Sequence, residues 1–174
     1  MKKLVVNILV VILFLGSVSL AAFVPKAAAA QPKIMEFDSM VGVPRPYTGA
    51  TNAIRGIPGG GLPWVIGFSS GELTANGQLE LKVSGLVLDP TDPAVIASGR
   101  AGTNPIPNFK AIVSCLSKDT AGSPQTINVS TGLFPANSAG NARIEETLSL
   151  PSPCIAPIVF VTSPTGSWFA ATGK

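Results

Sequence analysis

Asn76-Gly77-Gln78-Leu79-Glu80-Leu81-Lys82-Val83-Ser84 carries the two local signals on which the fold depends. Leu79, Leu81 and Val83 alternate with Glu80, Lys82 and Ser84, so one face of an extended strand is apolar and the other wet. Asn-Gly directly before it is the strongest short hairpin signal, because a type I′ turn needs positive φ at both central residues. The reading is an antiparallel pair, Val65 to Thr74 with Gln78 to Leu88. Past Gly85 the apolar parity moves to Leu86 and Leu88, which a bulge at Gly85 would produce.

Working outward, further short strands are expected at Phe109–Leu116, Thr126–Ser130, Ala142–Leu150, Ile155–Thr162 and Trp168–Ala171. Pro, Gly, Asn and Ser clusters separate them, and no segment after residue 30 keeps an i, i+3, i+4 pattern over ten residues. Strands at this spacing imply an all-β domain, a single antiparallel β-sandwich of about seven to eight strands, immunoglobulin-like or chordin-like. Residues 31–64 read as an irregular N-terminal segment with a Gly-rich loop, and 65–174 as the sandwich.

Residues 1–30 have the composition of an export leader. Lys2 and Lys3 precede the apolar run Leu4–Leu15, and Ala27-Ala28-Ala29-Ala30 supplies small residues for cleavage before Gln31. Cleavage after Ala21 and retention of Leu4–Val24 as an anchor are the alternatives. The leader has a bacterial character, and membrane contact is expected only through it, before cleavage. It holds Lys2, Lys3 and Lys26, so removing it from the 12 basic residues leaves nine against 9 acidic ones. A near-neutral chain lacks the phosphate-neutralising charge that nucleic-acid binding needs.

The exported part contains both cysteines, Cys115 and Cys154. In an oxidising compartment an even count reads as a disulfide. Such a bridge would close a loop of about 40 residues, worth roughly 4 kcal/mol in the chain-entropy model. Two cysteines in a chain with no His make a poor zinc site.

Met40-Val41-Gly42-Val43-Pro44-Arg45-Pro46, followed by Gly71-Glu72-Leu73 through Val83-Ser84-Gly85-Leu86, resembles the opening of chordin-type (CHRD) β domains. The resemblance covers about half of the exported chain. It departs at the family's paired-histidine segment, which a chain without His cannot have. The whole chain, with Cys154-Ile155-Ala156-Pro157-Ile158-Val159-Phe160-Val161 near its end, is similar to small secreted bacterial proteins. The resemblance implies a fold and an extracellular compartment rather than an activity.

Several motifs invite chemistry. Gly67-Phe68-Ser69-Ser70-Gly71 matches G-x-S-x-G, but the hydrolase elbow sits on a strand-to-helix turn and uses a His. Gly56-Ile57-Pro58-Gly59-Gly60-Gly61-Leu62-Pro63-Trp64 lacks the Lys-Ser/Thr and helix of a phosphate loop; it is a connector, or a binding loop presenting Trp64. Asp89-Pro90-Thr91-Asp92-Pro93 reads as a proline-braced turn, with calcium as the alternative. Glu145 and Glu146 are adjacent on a strand and so point to opposite faces; Glu146 shares parity with Ile144, as at an edge or a bulge. Asn128-Val129-Ser130 matches a glycosylation acceptor. Trp64, Trp168 and Tyr47 are either packing residues or an exposed platform for a ligand.

Three functional classes remain. The first is a secreted, non-enzymatic binding module for an extracellular partner such as a cell-wall polymer or glycan. The second is an exported structural or matrix protein without a discrete ligand. The third is a hydrolase using distant carboxylates. No cofactor, metal site or catalytic residue is expected, and the first class is preferred.

Overall fold

The computed structural model describes residues 31–173; the expectations for the leader lie outside the described residues. The Asn-Gly hairpin forms as β4 (Phe68–Thr74) and β5 (Gln78–Ser84), paired antiparallel with Leu73 opposite Leu79 and Phe68 opposite Ser84. Its loop differs from a two-residue type I′ turn. Three residues connect the strands, and Gly77, not Asn76, takes positive φ, at 88°. Gly77 N–H donates to Thr74 O at 3.0 Å, the pattern of a turn closed by a left-handed residue. A Cβ on Gly77 would stand 1.9 Å from Leu148 O, so the turn is also packed from outside.

β1 (Lys33–Phe37) pairs with β4, and β10 (Ala142–Thr147) pairs with β5, giving a four-stranded sheet in the order β1-β4-β5-β10. The parity change near Gly85 is not a bulge within a continuing strand. β5 ends at Ser84, Gly85 turns the chain out at φ 69°, and Asn141 Oδ1 ties the exit by accepting from Ser84 Oγ and Gly85 N. The next stretch, β6 (Val87–Leu88), pairs instead with β3 (Trp64–Val65) in a separate two-stranded ribbon.

The larger sheet runs β2 (Val41–Gly42), β12 (Trp168–Ala171), β11 (Ile155–Thr162), β7 (Asn108–Lys118), β8 (Pro124–Ser130), with β9 (Phe134–Pro135) also paired to β7. The strand pairs of both sheets are antiparallel. Leu73, Leu79, Leu81, Val83 and Ile144 of the small sheet share one core with Phe109, Val113, Val159 and Val161 of the large one. The described residues thus form an antiparallel β-sandwich with eight strands of four or more residues, as expected, plus four two-residue pieces.

Two elements differ from expectation. The segment 31–64 is not merely irregular: β1 and β2 join the two sheets, and residues 43–60 then wrap the outer face of the large one. At the β12 edge Trp168 N–H donates to Pro58 O and Gly60 N–H donates to Trp168 O, and over the face the Arg55 guanidinium donates to Ser114 O and Ala156 O. This cover explains why β7 buries Ile112 and Ser114 as well as the opposite row, Phe109, Ala111 and Val113. The second is a five-residue helix, α1 (Pro93–Ala97), in place of the expected proline-braced turn. Asp92 caps it, accepting from Ala94 N–H and Val95 N–H, and Pro93 opens it.

Candidate functional site

Trp64 and Trp168, expected either as packing residues or as ligand contacts, are core residues at 4 % and 3 % exposure. Trp64 stacks on Phe169 with ring centroids 4.0 Å apart and meets Phe109 edge-on at 6.4 Å. Trp168 meets Phe160 edge-on at 6.1 Å beneath the wrapping segment. The Gly-rich loop serves this packing. A Cβ on Gly60 would sit 3.0 Å from the Phe169 ring and 3.2 Å from Trp64 Nε1, so glycine lets the backbone close onto the aromatic pair. Tyr47 stays 42 % exposed but pairs with neither tryptophan. Among the described residues these three rings therefore share no exposed face: the two tryptophans contribute more by leaving water than by facing it.

The other motifs resolve similarly. Ser69 lies within β4, opposite Val83, 2 % exposed and with no hydrogen bond to its Oγ; there is no elbow. Asp89 Oδ1 accepts from Thr91 N–H and Oγ1–H, and Asp92 is taken up by its cap and by Arg45. Cys115 and Cys154 form the disulfide, joining β7 to the residue that precedes β11. Asn128 lies on exposed β8, its Nδ2 donating to Arg55 O at 3.0 Å.

The charged feature that the structure assembles lies on the outer face of the small sheet. Register places Glu36 opposite Glu72, Glu72 opposite Glu80, and Glu80 opposite Glu145. Four of the five glutamates in the chain thus form one row across four strands. Directly opposed side chains share a face, with Cβ atoms about 4.5–5.5 Å apart. The next row carries Ser70, Lys82 and Arg143. Together they line an open groove of about 760 Å³ that also takes in Asp38.

Charge in the row is compensated at its ends. Lys33 Nζ bridges Glu72 Oε2 at 2.6 Å and Glu36 Oε1 at 3.1 Å. Its ammonium is held above the usual lysine value, first by the hydrogen bond to Glu72 and then by that to Glu36. Arg143 pairs with Glu145. Glu80, in the middle, accepts from the Gln78 amide at 3.0 Å and has no ion pair among the described residues. Glu146 points the other way, as its parity required, and accepts from Gly132 N–H at 2.8 Å; β10 is an edge strand.

Local reading could place Glu72 and Glu80 on wet faces, since each stands next to a leucine that turns inward. It could not bring Glu36 and Glu145 beside them, because cross-strand register is a long-range property. No protein-family model, no curated protein and no solved structure matches this chain.

Proposed function

We propose that the chain is an exported, non-enzymatic binding module whose ligand is taken on the open face of the four-stranded sheet. The observation that carries this reading is the glutamate row. Like charges directly opposite one another on a sheet cost stability. Here they stand in a groove, over a fold whose two tryptophans are occupied by packing. A ligand offering several ammonium and hydroxyl groups would relieve that repulsion, so an amine-bearing glycan or cell-wall polymer is the class proposed. The disulfide fits an oxidising, extracellular or periplasmic location, as does the resemblance to chordin-type domains.

The test is binding of the purified protein to an amino-polysaccharide, its N-acetylated form and a neutral glucan. Binding to the amine form alone, weakening as salt rises, is expected. Glu80→Gln combined with Glu72→Gln should weaken it roughly tenfold, the scale of a pair of charge-assisted hydrogen bonds. Equal capture of all three polymers, or of none, overturns the reading.

A second reading, a carboxylate hydrolase, is favoured by the same facing glutamates. Against it stands the environment. A general acid keeps its proton at neutral pH by apolar burial, whereas this groove is open and its end carboxylates are ion-paired. Release of reducing ends from a glycan, abolished by Glu80→Gln, would establish the hydrolase in its place.

A further inference from the structure

We infer that β8 is a self-association edge, where a second copy of this chain adds antiparallel and continues the large sheet across two molecules. Among the described residues β8 is the last strand of its sheet and pairs only with β7. Its register with β7 runs without a shift from Lys118↔Pro124 to Ile112↔Ser130, so the edge is straight rather than bulged. Sheet edges are normally protected by charge, proline, bulges or brevity. The other edges follow that rule. β1 carries Lys33 and Glu36, β10 carries Arg143, Glu145 and Glu146, and β2 and β9 have two residues each. β8 reads Pro-Gln-Thr-Ile-Asn-Val-Ser, with no charge, and its one proline is at the first position.

The geometry sets the register of the added strand. Thr131 N–H donates to Ala111 O at 2.9 Å, so that pair faces inward. Alternation along an antiparallel ladder then directs the backbone groups of Val129, Ile127 and Gln125 to β7, and those of Ser130, Asn128 and Thr126 outward. A two-fold axis through Asn128 brings Asn128 opposite its own copy and Thr126 opposite Ser130. All three outward N–H groups and all three outward C=O groups of each copy then find partners. Ile127 meets Val129 on the inner face, and no charge meets a like charge. Pro124, lacking an N–H, ends the pairing at one side. Such an edge contact is small, so the dimer is weak and concentration-dependent. A second copy is the fitting occupant because the two-fold register is self-complementary: every outward N–H and C=O group of one β8 meets its counterpart on the other, and the apolar Ile127 meets Val129.

The test is sedimentation equilibrium of the full chain, expressed with its own leader and purified in the form the cell yields, up to about 1 mM, a range that captures weak association. Two double variants carry equal numbers of substitutions at the same exposed positions. Thr126→Lys with Ser130→Lys opposes like charges twice across the two-fold. Thr126→Lys with Ser130→Glu opposes unlike charges twice. The expected result is a dimer for the parent and for the second variant, and dimerisation weaker by roughly tenfold or more for the first. Matching far-ultraviolet circular dichroism shows that both variants fold. A parent monomeric throughout, or two variants that dimerise equally, overturns the proposal.

Discussion

Asp92 uses one carboxylate for two tasks. Its oxygens accept from Arg45 Nε at 2.7 Å and Arg45 Nη2 at 3.0 Å, and from the first N–H groups of α1. The Arg45 hydrogen bond, followed by the Val95 N–H, the guanidinium charge and the Ala94 N–H, outweighs the burial that opposes ionisation. The carboxyl is held at about 2, below its ordinary 3.8. A group whose folded value is depressed contributes stability above its unfolded value and loses it as pH falls through the folded one. Asp92→Asn keeps a good cap and removes the charge. The stability gap between parent and variant is therefore expected to be full above about pH 5, to shrink between 3.8 and 2, and to close below. Thermal melts at pH 6, 3 and 2 check this; a gap independent of pH would show that the ion pair contributes nothing. The Asp-Pro signal of a helix start was present in the sequence. Its ion pair was not, because Arg45 lies 47 positions away.

Among the elements, β7 shows how far local reading reaches. Its apolar run was legible as a strand, and β11 and β12 appear at the expected limits. β1 was not legible as a strand, although Met35 and Phe37 turn inward at period two, because Lys33 and Glu36 mask a short edge. The disulfide joins β7 to the start of β11 across a separation of 39 residues, in a region where a bulge interrupts the β7–β11 pairing between Ile155 and Ile158. Cys115 is fully buried, so the bridge anchors this irregular stretch to the core. Replacing both cysteines by Ala is expected to cost about 2–5 kcal/mol, the usual range for losing a native disulfide from a small domain. Urea unfolding of the parent and the Cys115→Ala/Cys154→Ala protein measures it. A difference below about 1 kcal/mol would mean that the unfolded chain gains little freedom when the bridge is lost.

At the scale of the whole molecule, the two sheets close on Trp64, Phe109 and Phe169, while Trp168 and Phe160 pack beneath the wrapping segment on the other side of the large sheet. Trp64→Ala is expected to cost about 3–5 kcal/mol, the usual loss for a buried large aromatic. The binding proposed for the glutamate groove should persist wherever that variant is still folded. Denaturant midpoints and binding measured on the same sample separate the two effects. Loss of binding in a variant that still melts cooperatively would place Trp64 in the ligand site after all.

Period-two alternation, the Asn-Gly turn and the paired cysteines determined an antiparallel sandwich with a disulfide, because each signal acts through near neighbours or through compartment chemistry. Register and burial were decided only by the tertiary structure. A flat ring in a glycine-rich loop reads the same whether it faces water or a core, and Trp64 turns inward because Phe169 and Phe109 wait there. Glu36, Glu72, Glu80 and Glu145 look like scattered wet-face residues until strands far apart in sequence are paired. A one-residue slip in any pairing would send a glutamate to the other face. The row therefore exists only through the apolar alternation that locks Leu73, Leu79, Leu81 and Ile144 into the core.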